Sequence, residues 1–257
     1  MVISKRERFY AKYYQQNFSM PNSIIFYVAK NPKTAKFYLK MRIGEWRIGR
    51  LPLNLTKYNC KYWITDKICA SASEFVDKNI FSQIIPKLYL CDVKSLNLYS
   101  QVVSFNDLSL LISSAKEICL HNVIVKHADS SDVLFEDLIK ISVNAKSVEV
   151  NQSKITPKTM KELTKLSHFT KIDNLTLFNL SEVFDIDEFY DYTKRNQHTK
   201  LNIVFDPQIS EGYMNRLETI VDEILETKQF DYKPPFICFI GIDIQKFLKH
   251  RQIYDSH

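Results

Sequence analysis

Glycine is nearly missing from this chain, with four in 257 residues, far under the usual ~7%. That scarcity argues against Gly-rich phosphate loops, barrels turned by tight Gly hairpins and flexible Gly linkers. Cysteine is sparse and unpatterned: Cys60, Cys69, Cys91, Cys119 and Cys238 form no Cys-x-x-Cys pair, which removes the common zinc-ribbon and thioredoxin patterns. An odd, scattered set reads as reduced, mostly buried thiols in the cytoplasm or nucleus. Long hydrophobic runs are also lacking. The nearly apolar stretches at 24–29 and 235–242 are too short to span a bilayer, and residues 1–16 hold no signal-peptide core. No membrane association is expected. Gly-x-Ser-x-Gly, a Walker-type loop and His-Glu-x-x-His are absent as well. The expectation is a non-enzymatic protein that needs no cofactor.

What remains is an ordinary globular composition, 45% hydrophobic and 25% charged, in a chain long enough to bury a sizeable core. Its net charge of +6 is unevenly spread: residues 1–50 hold eleven Lys/Arg against two acids, while the rest carries 24 basic and 27 acidic residues. A basic module at 1–50 attached to a near-neutral body at 51–257 follows.

The body repeats itself. Five segments share an apolar-x-x-apolar-x-apolar register, anchored at Leu96/Leu98, Ile118/Leu120, Val148/Val150, Leu175/Leu177 and Leu201/Ile203. The anchors are 22, 30, 27 and 26 residues apart. Period-two alternation marks strands with one buried face. A helical pattern with an N-terminal cap follows most of them: Ser104 before Leu108, Leu111 and Ile112; Thr156-Pro157 before Met160 and Leu163; Asp185 before Phe189; Ser210 before Leu217, Ile220, Val221 and Ile224. Side-chain oxygens of these types accept an orphan backbone N–H of the first turn, where proline is also tolerated. The second unit is looser, with Leu134, Leu138 and Ile141 after a polar loop at 129–132.

Strand-then-helix units of this length have the leucine-rich-repeat period, and neither element of a unit buries its apolar face alone. The predicted fold is therefore α/β: a short helical N-terminal module followed by an irregular leucine-rich-repeat-like β/α solenoid with a parallel sheet. The asparagine expected after each strand is replaced by Gln101, Val123, Ser153 and Leu180, which calls for differently built turns. A doubly wound sheet is the alternative, but its strands are buried on both faces and should be almost continuously apolar. Here the positions between the anchors are Asn97, Cys119, Glu149, Thr176 and Asn202, which favours one open face. That face should present Asn97, Tyr99, Cys119, His121, Glu149, Asn151, Thr176, Phe178, Asn202 and Val204 to a target protein, since solenoids bind through broad concave surfaces. An irregular unit at 61–88, a last strand at 236–240 and a helical tail at 243–250 should close the two ends.

Near the start, Pro21 suits a helix entry, Ile24, Ile25 and Val28 share a face, Asn31-Pro32 stops the helix, and a second short helix is predicted over 33–41. This apolar-Pro-x-x-apolar-apolar-x-x-apolar opening, followed by a break and a basic helix, resembles the start of an F-box. More specifically, Phe18-Ser-Met-Pro-Asn-Ser-Ile-Ile-Phe-Tyr-Val-Ala-Lys-Asn-Pro-Lys is similar to the opening of expanded nematode F-box-type proteins, in which a short F-box-like module precedes an irregular leucine-rich body. Segments at 62–67, 85–92 and 230–235 fit that resemblance. It implies that Met20, Pro21, Ile24, Ile25 and Val28 pack against a Skp-type adaptor of a cullin–RING ubiquitin ligase, with the body as substrate receptor. The third F-box helix has no counterpart: Arg42-Ile-Gly-Glu-Trp46-Arg-Ile-Gly-Arg50 stands in its place. The bland alternative is that the first helix only caps the body.

Two further constellations carry chemistry. Lys30, Lys33, Lys36, Lys40, Arg42, Arg47 and Arg50 interleave with Phe37, Tyr38 and Trp46, a combination that suits phosphate contact and base stacking. Nucleic-acid binding through segment 30–50 is therefore the alternative function. His121 and His127 with Asp129 and Asp132 follow no common zinc spacing and read as a solvated loop, so no metal site is expected.

Overall fold

The computed structural model describes residues 38–42, 45–48, 51–52, 62–71 and 81–257. The expected adaptor-contact residues Met20, Pro21, Ile24, Ile25 and Val28 lie outside them. Among the described residues, the strands are β1 (Tyr38–Arg42), β2 (Glu45–Ile48), β3 (Leu51–Pro52), β4 (Tyr62–Ile64), β5 (Lys67–Ser71), β6 (Leu88–Cys91), β7 (Ser95–Tyr99), β8 (Val102–Ser104), β9 (Glu117–His121), β10 (Ile124–Lys126), β11 (Ser147–Asn151), β12 (Asn174–Leu180), β13 (Lys200–Phe205) and β14 (Phe236–Cys238). The helices are α1 (Phe81–Ile84), α2 (Phe105–Ile112), α3 (Phe135–Ile141), α4 (Thr159–Leu163), α5 (Ile186–Thr193), α6 (Glu211–Glu226) and α7 (Ile244–Ser256).

Ten strands form one sheet in the order β14-β13-β12-β11-β9-β7-β5-β1-β2-β3. All neighbours from β14 to β1 run parallel, and β2 and β3 extend the edge antiparallel. From β5 onward each major strand lies beside the next one in sequence, as short strand–helix units require. Register aligns the five anchors: Leu96, Ile118, Val148, Leu175 and Leu201 form one cross-strand row, and Leu98, Leu120, Val150, Leu177 and Ile203 the next. None of these ten side chains is more than 4% exposed, and burying each contributes about 1.5–3 kcal/mol. They share a single core with Leu108, Leu111, Leu138, Met160, Leu163, Phe189, Leu217 and Ile220 from the helices.

Two backbone devices recur where the units stack. At the strand entries, one carbonyl accepts two N–H groups of the next unit: Asp66 O from Lys94 and Ser95, Lys94 O from Lys116 and Glu117, Lys116 O from Lys146 and Ser147, and Lys146 O from Asp173 and Asn174, all at 2.8–3.1 Å. Just after β7, β9 and β11, Ser100, Asn122 and Gln152 adopt φ of 54°, 54° and 64°, and Asn179, at 55°, marks the register irregularity inside β12; each lies four residues after its anchor. Each sits one residue before the position at which the asparagine is expected, and two of the four are themselves asparagines. In the first turn the buried Gln101 adds a side-chain bond, Nε2 donating to Tyr99 O at 2.9 Å. Beyond the turns, β8 pairs with β10 in parallel, as does β4 with β6.

Helix starts follow the caps in three of four cases. Ser104 Oγ accepts from Asp107 N, Asp185 Oδ1 from Glu188 N and Ser210 Oγ from Tyr213 N. The fourth differs: α4 begins at Thr159, two residues beyond Pro157. Thr159 Oγ1 accepts from Thr156 N at 2.9 Å and donates to Glu136 Oε2 at 2.8 Å in α3, with both residues buried. A long-range polar bond thus meets the helix at its first residue.

The helix expected over 33–41 does not hold at its end, because Tyr38–Arg42 is a strand paired with β5 and β2. Leu39 and Met41 alternate with Lys40 and Arg42, which is the period of a strand. β1–β3 thus join the same sheet as the body, across the boundary drawn after residue 50. β5 was missing from the sequence repeat because Thr65 and the small Ala70 stand where its apolar signature would be, yet Ile68 and Ala70 align with Leu96 and Leu98. At the other end α7, capped by Asp243, packs on β14: the Phe236 ring meets those of Phe247, His250 and Tyr254 at 5.1–5.7 Å. Lys246 Nζ ties α7 to α6 through Glu218 and Asp222 at 2.6 and 2.8 Å. Among the described residues no helix is long and apolar enough to cross a membrane.

Candidate functional site

Alternation puts the residues between the anchors on the opposite sheet face, and all ten expected there, from Asn97 and Tyr99 to Asn202 and Val204, are half-buried. Among the described residues the helices share their core with the anchor face, and this opposite face carries rows of neighbouring side chains. Its rows follow the register: Asn97, Cys119, Glu149, Thr176 and Asn202 in one, and Tyr99, His121, Asn151 and Phe178 in the next. Val204 lies further along, opposite Cys238.

The middle of the face is a connected cluster. His121 Nε2 lies 2.6 Å from Glu149 Oε1, with side chains 28% and 42% exposed. The imidazole sits between two aromatic rings, Tyr99 at 5.6 Å and Phe178 at 5.8 Å between centroids. Phe178 belongs to the second strand over, so it reaches His121 across β11, above Asn151. Asn151 Oδ1 accepts from Asn179 Nδ2 at 2.8 Å. Cys119 Sγ donates to Tyr99 Oη at 3.5 Å.

Electrostatics keep the two S–H and O–H groups protonated at neutral pH. Burial pushes the Cys119 thiol above its ordinary range, the Tyr99 hydrogen bond partly offsets this, and Glu149 adds to the rise. Tyr99 is pushed up to about 12, first by its bond to Cys119 and then by burial and the nearby thiols and carboxylate. Sulfur, imidazole and carboxylate donors of Cys119, His121 and Glu149 all lie within 4.8 Å of one another. This is a set of side chains able to hold a soft or borderline divalent cation.

The histidine grouping drawn from the sequence does not assemble. His127 stacks on Phe105 at 5.0 Å, Asp129 binds Ser131, and Asp132 pairs with Lys126 at 2.7 Å. His121 instead turns to the neighbouring strands. The aligned repeats hold the signal for Glu149, which occupies in its own unit the position of Cys119. At the basic end, register places Lys40 opposite Cys69 and Arg47; the other basic residues of 30–50 except Arg42 lie outside the described residues. Comparison with protein-family models, with curated proteins and with solved structures finds no match.

Proposed function

We propose that this chain is a non-enzymatic protein-interaction module whose body is a leucine-rich-repeat-like solenoid, and that it acts as an F-box-like substrate receptor of a cullin–RING ubiquitin ligase. The observation that carries the interaction reading is the open sheet face: five parallel strands hold polar and aromatic side chains in straight cross-strand rows on a rigid frame. One-sided burial, consecutive neighbours and the repeated left-handed turn residues support the solenoid over a doubly wound sheet. The F-box-like opening at 18–41 supports the ligase connection, with Met20, Pro21, Ile24, Ile25 and Val28 as the apolar anchors on a Skp-type adaptor.

In this reading the two ends work independently, which makes it testable by reciprocal variants. The full-length chain is expressed in cells with a Skp-type adaptor and its co-purifying proteins are quantified. Joint Tyr99→Ala, Glu149→Ala and Phe178→Ala substitution should remove targets and keep the adaptor; Ile24→Asp should do the reverse. Adaptor and targets lost together, or neither lost, would overturn this assignment. Oligonucleotide binding that falls steeply with salt and with Lys36→Glu/Lys40→Glu would favour segment 30–50 as a nucleic-acid site instead.

A further inference from the structure

A cysteine and a histidine two apart on one strand project from the same face, and the parallel register sets Glu149 directly beside Cys119 and diagonal to His121. We propose that Cys119, His121 and Glu149 form a binding site for a zinc-type divalent cation, with the fourth coordination position open to solvent.

Four arguments support the site. First, the donors are the three that zinc uses, and a thiolate with an imidazole favours zinc over the hard cations magnesium and calcium. Second, the distances are close: bonds of ~2.0–2.3 Å in a tetrahedron put ligand atoms roughly 3.3–3.6 Å apart, against a present spread within 4.8 Å. Rotation of the half-buried Glu149 carboxylate and Cys119 thiol about their side-chain bonds would close that gap without moving the sheet. Third, outer hydrogen bonds of the kind that orient ligands are in place: the Tyr99 hydroxyl lies on the sulfur, and the rings of Tyr99 and Phe178 hold the imidazole. Fourth, the site is half-buried, so an ion has an entry path and a partly dry bed.

Binding balances simply. The Cys119 S–H proton leaves to solvent, the His121 ring carries its hydrogen on the nitrogen away from the metal, and the cation replaces the His121–Glu149 hydrogen bond. Among the described residues, Lys67 is a cation that acts on the thiol. With the Asn97 amide turned to donate to Leu96 O and Ser95 Oγ, its oxygen accepts from Lys67 Nζ at 3.2 Å, which engages that ammonium one strand away. This inference does not depend on the ligase reading.

The test is titration of the full-length, chelator-treated chain with Co²⁺ as a spectroscopic stand-in for zinc, followed by competition with Zn²⁺. One equivalent should bind with a thiolate-to-cobalt charge-transfer band and tetrahedral d–d bands, and Zn²⁺ should abolish both. Cys119→Ser should lose the charge-transfer band, while Cys69→Ser on the neighbouring face position should keep it. His121→Asn and Glu149→Gln, half-exposed changes that leave the core intact, should each weaken binding by about tenfold or more. Absence of a thiolate band in the unmutated chain would overturn the proposal. So would a band that survives Cys119→Ser, or affinity unchanged in both His121→Asn and Glu149→Gln.

Discussion

His250 has no solvent exposure, and its Nε2–H donates to Pro235 O at 2.7 Å while Nδ1 is buried with no hydrogen-bond partner among the described residues. A second proton would therefore sit on an unsatisfied buried nitrogen, and burial pulls the group below its ordinary pKa, only partly offset by the bond to Pro235. The unfolded chain takes up that proton more readily than the folded one, so this contribution is complete above the unfolded value of ~6.5 and is lost as pH falls from there toward the folded value. Melting temperature should drop between pH of about 7 and about 5 more steeply in the native chain than in His250→Gln; parallel profiles would contradict the burial argument. A different residue-scale strain lies at Gln152, a left-handed residue with φ 64°. Relieving it with Gln152→Gly should stabilise the fold by about 0.5–1 kcal/mol in denaturant titration, while a β-branched Gln152→Val should cost about 1–2 kcal/mol. Both signs were hidden in the sequence, since Ser and Gln carry no preference for this conformation; only Asn122 and Asn179 announce it.

At the scale of elements, local chemistry was legible and long-range chemistry was not. Ser104, Asp185 and Ser210 cap their helices because an oxygen placed before an amphipathic run has one job; Asp185→Ala should destabilise by about 1 kcal/mol. Thr156 Oγ1 accepts instead from Lys158 N at 3.2 Å, ahead of the helix, while Thr159 is bonded to Glu136, 23 residues away, a bond that no window of sequence displays. Thr159→Val, which keeps the shape and removes the hydroxyl, should leave the buried Glu136 carboxylate short of a donor and cost about 1–3 kcal/mol in thermal or chemical unfolding. The five anchored strands were readable from period two, and so was their mutual register, because each unit repeats the same apolar pair. The end of the helix expected over 33–41 is instead part of the strand Tyr38–Arg42, where Leu39 and Met41 alternate with charges. Period two also makes legible which residues share the half-buried sheet face, while the meeting of Cys119, His121 and Glu149 among them is not legible. That convergence needs side-chain directions as well as register.

Over the whole molecule, the sheet grows by adding one unit to the next, with α7 covering the β14 end and β1–β3 extending the other. The ligase reading places a target on the sheet face opposite the helix-packed core and an adaptor at the basic N-terminal end. Charge at that end should act mainly on encounter: Lys36→Glu with Lys40→Glu should slow adaptor association at low salt far more than it speeds dissociation. The anchors should act on the complex itself. The most direct measurement is co-elution of the purified full-length chain with a purified Skp-type adaptor in size-exclusion chromatography, alongside Ile24→Asp with its folding checked by circular dichroism. The account predicts a stoichiometric complex with the native chain and none with the folded variant; no complex with the native chain, or an equal one with Ile24→Asp, would contradict it.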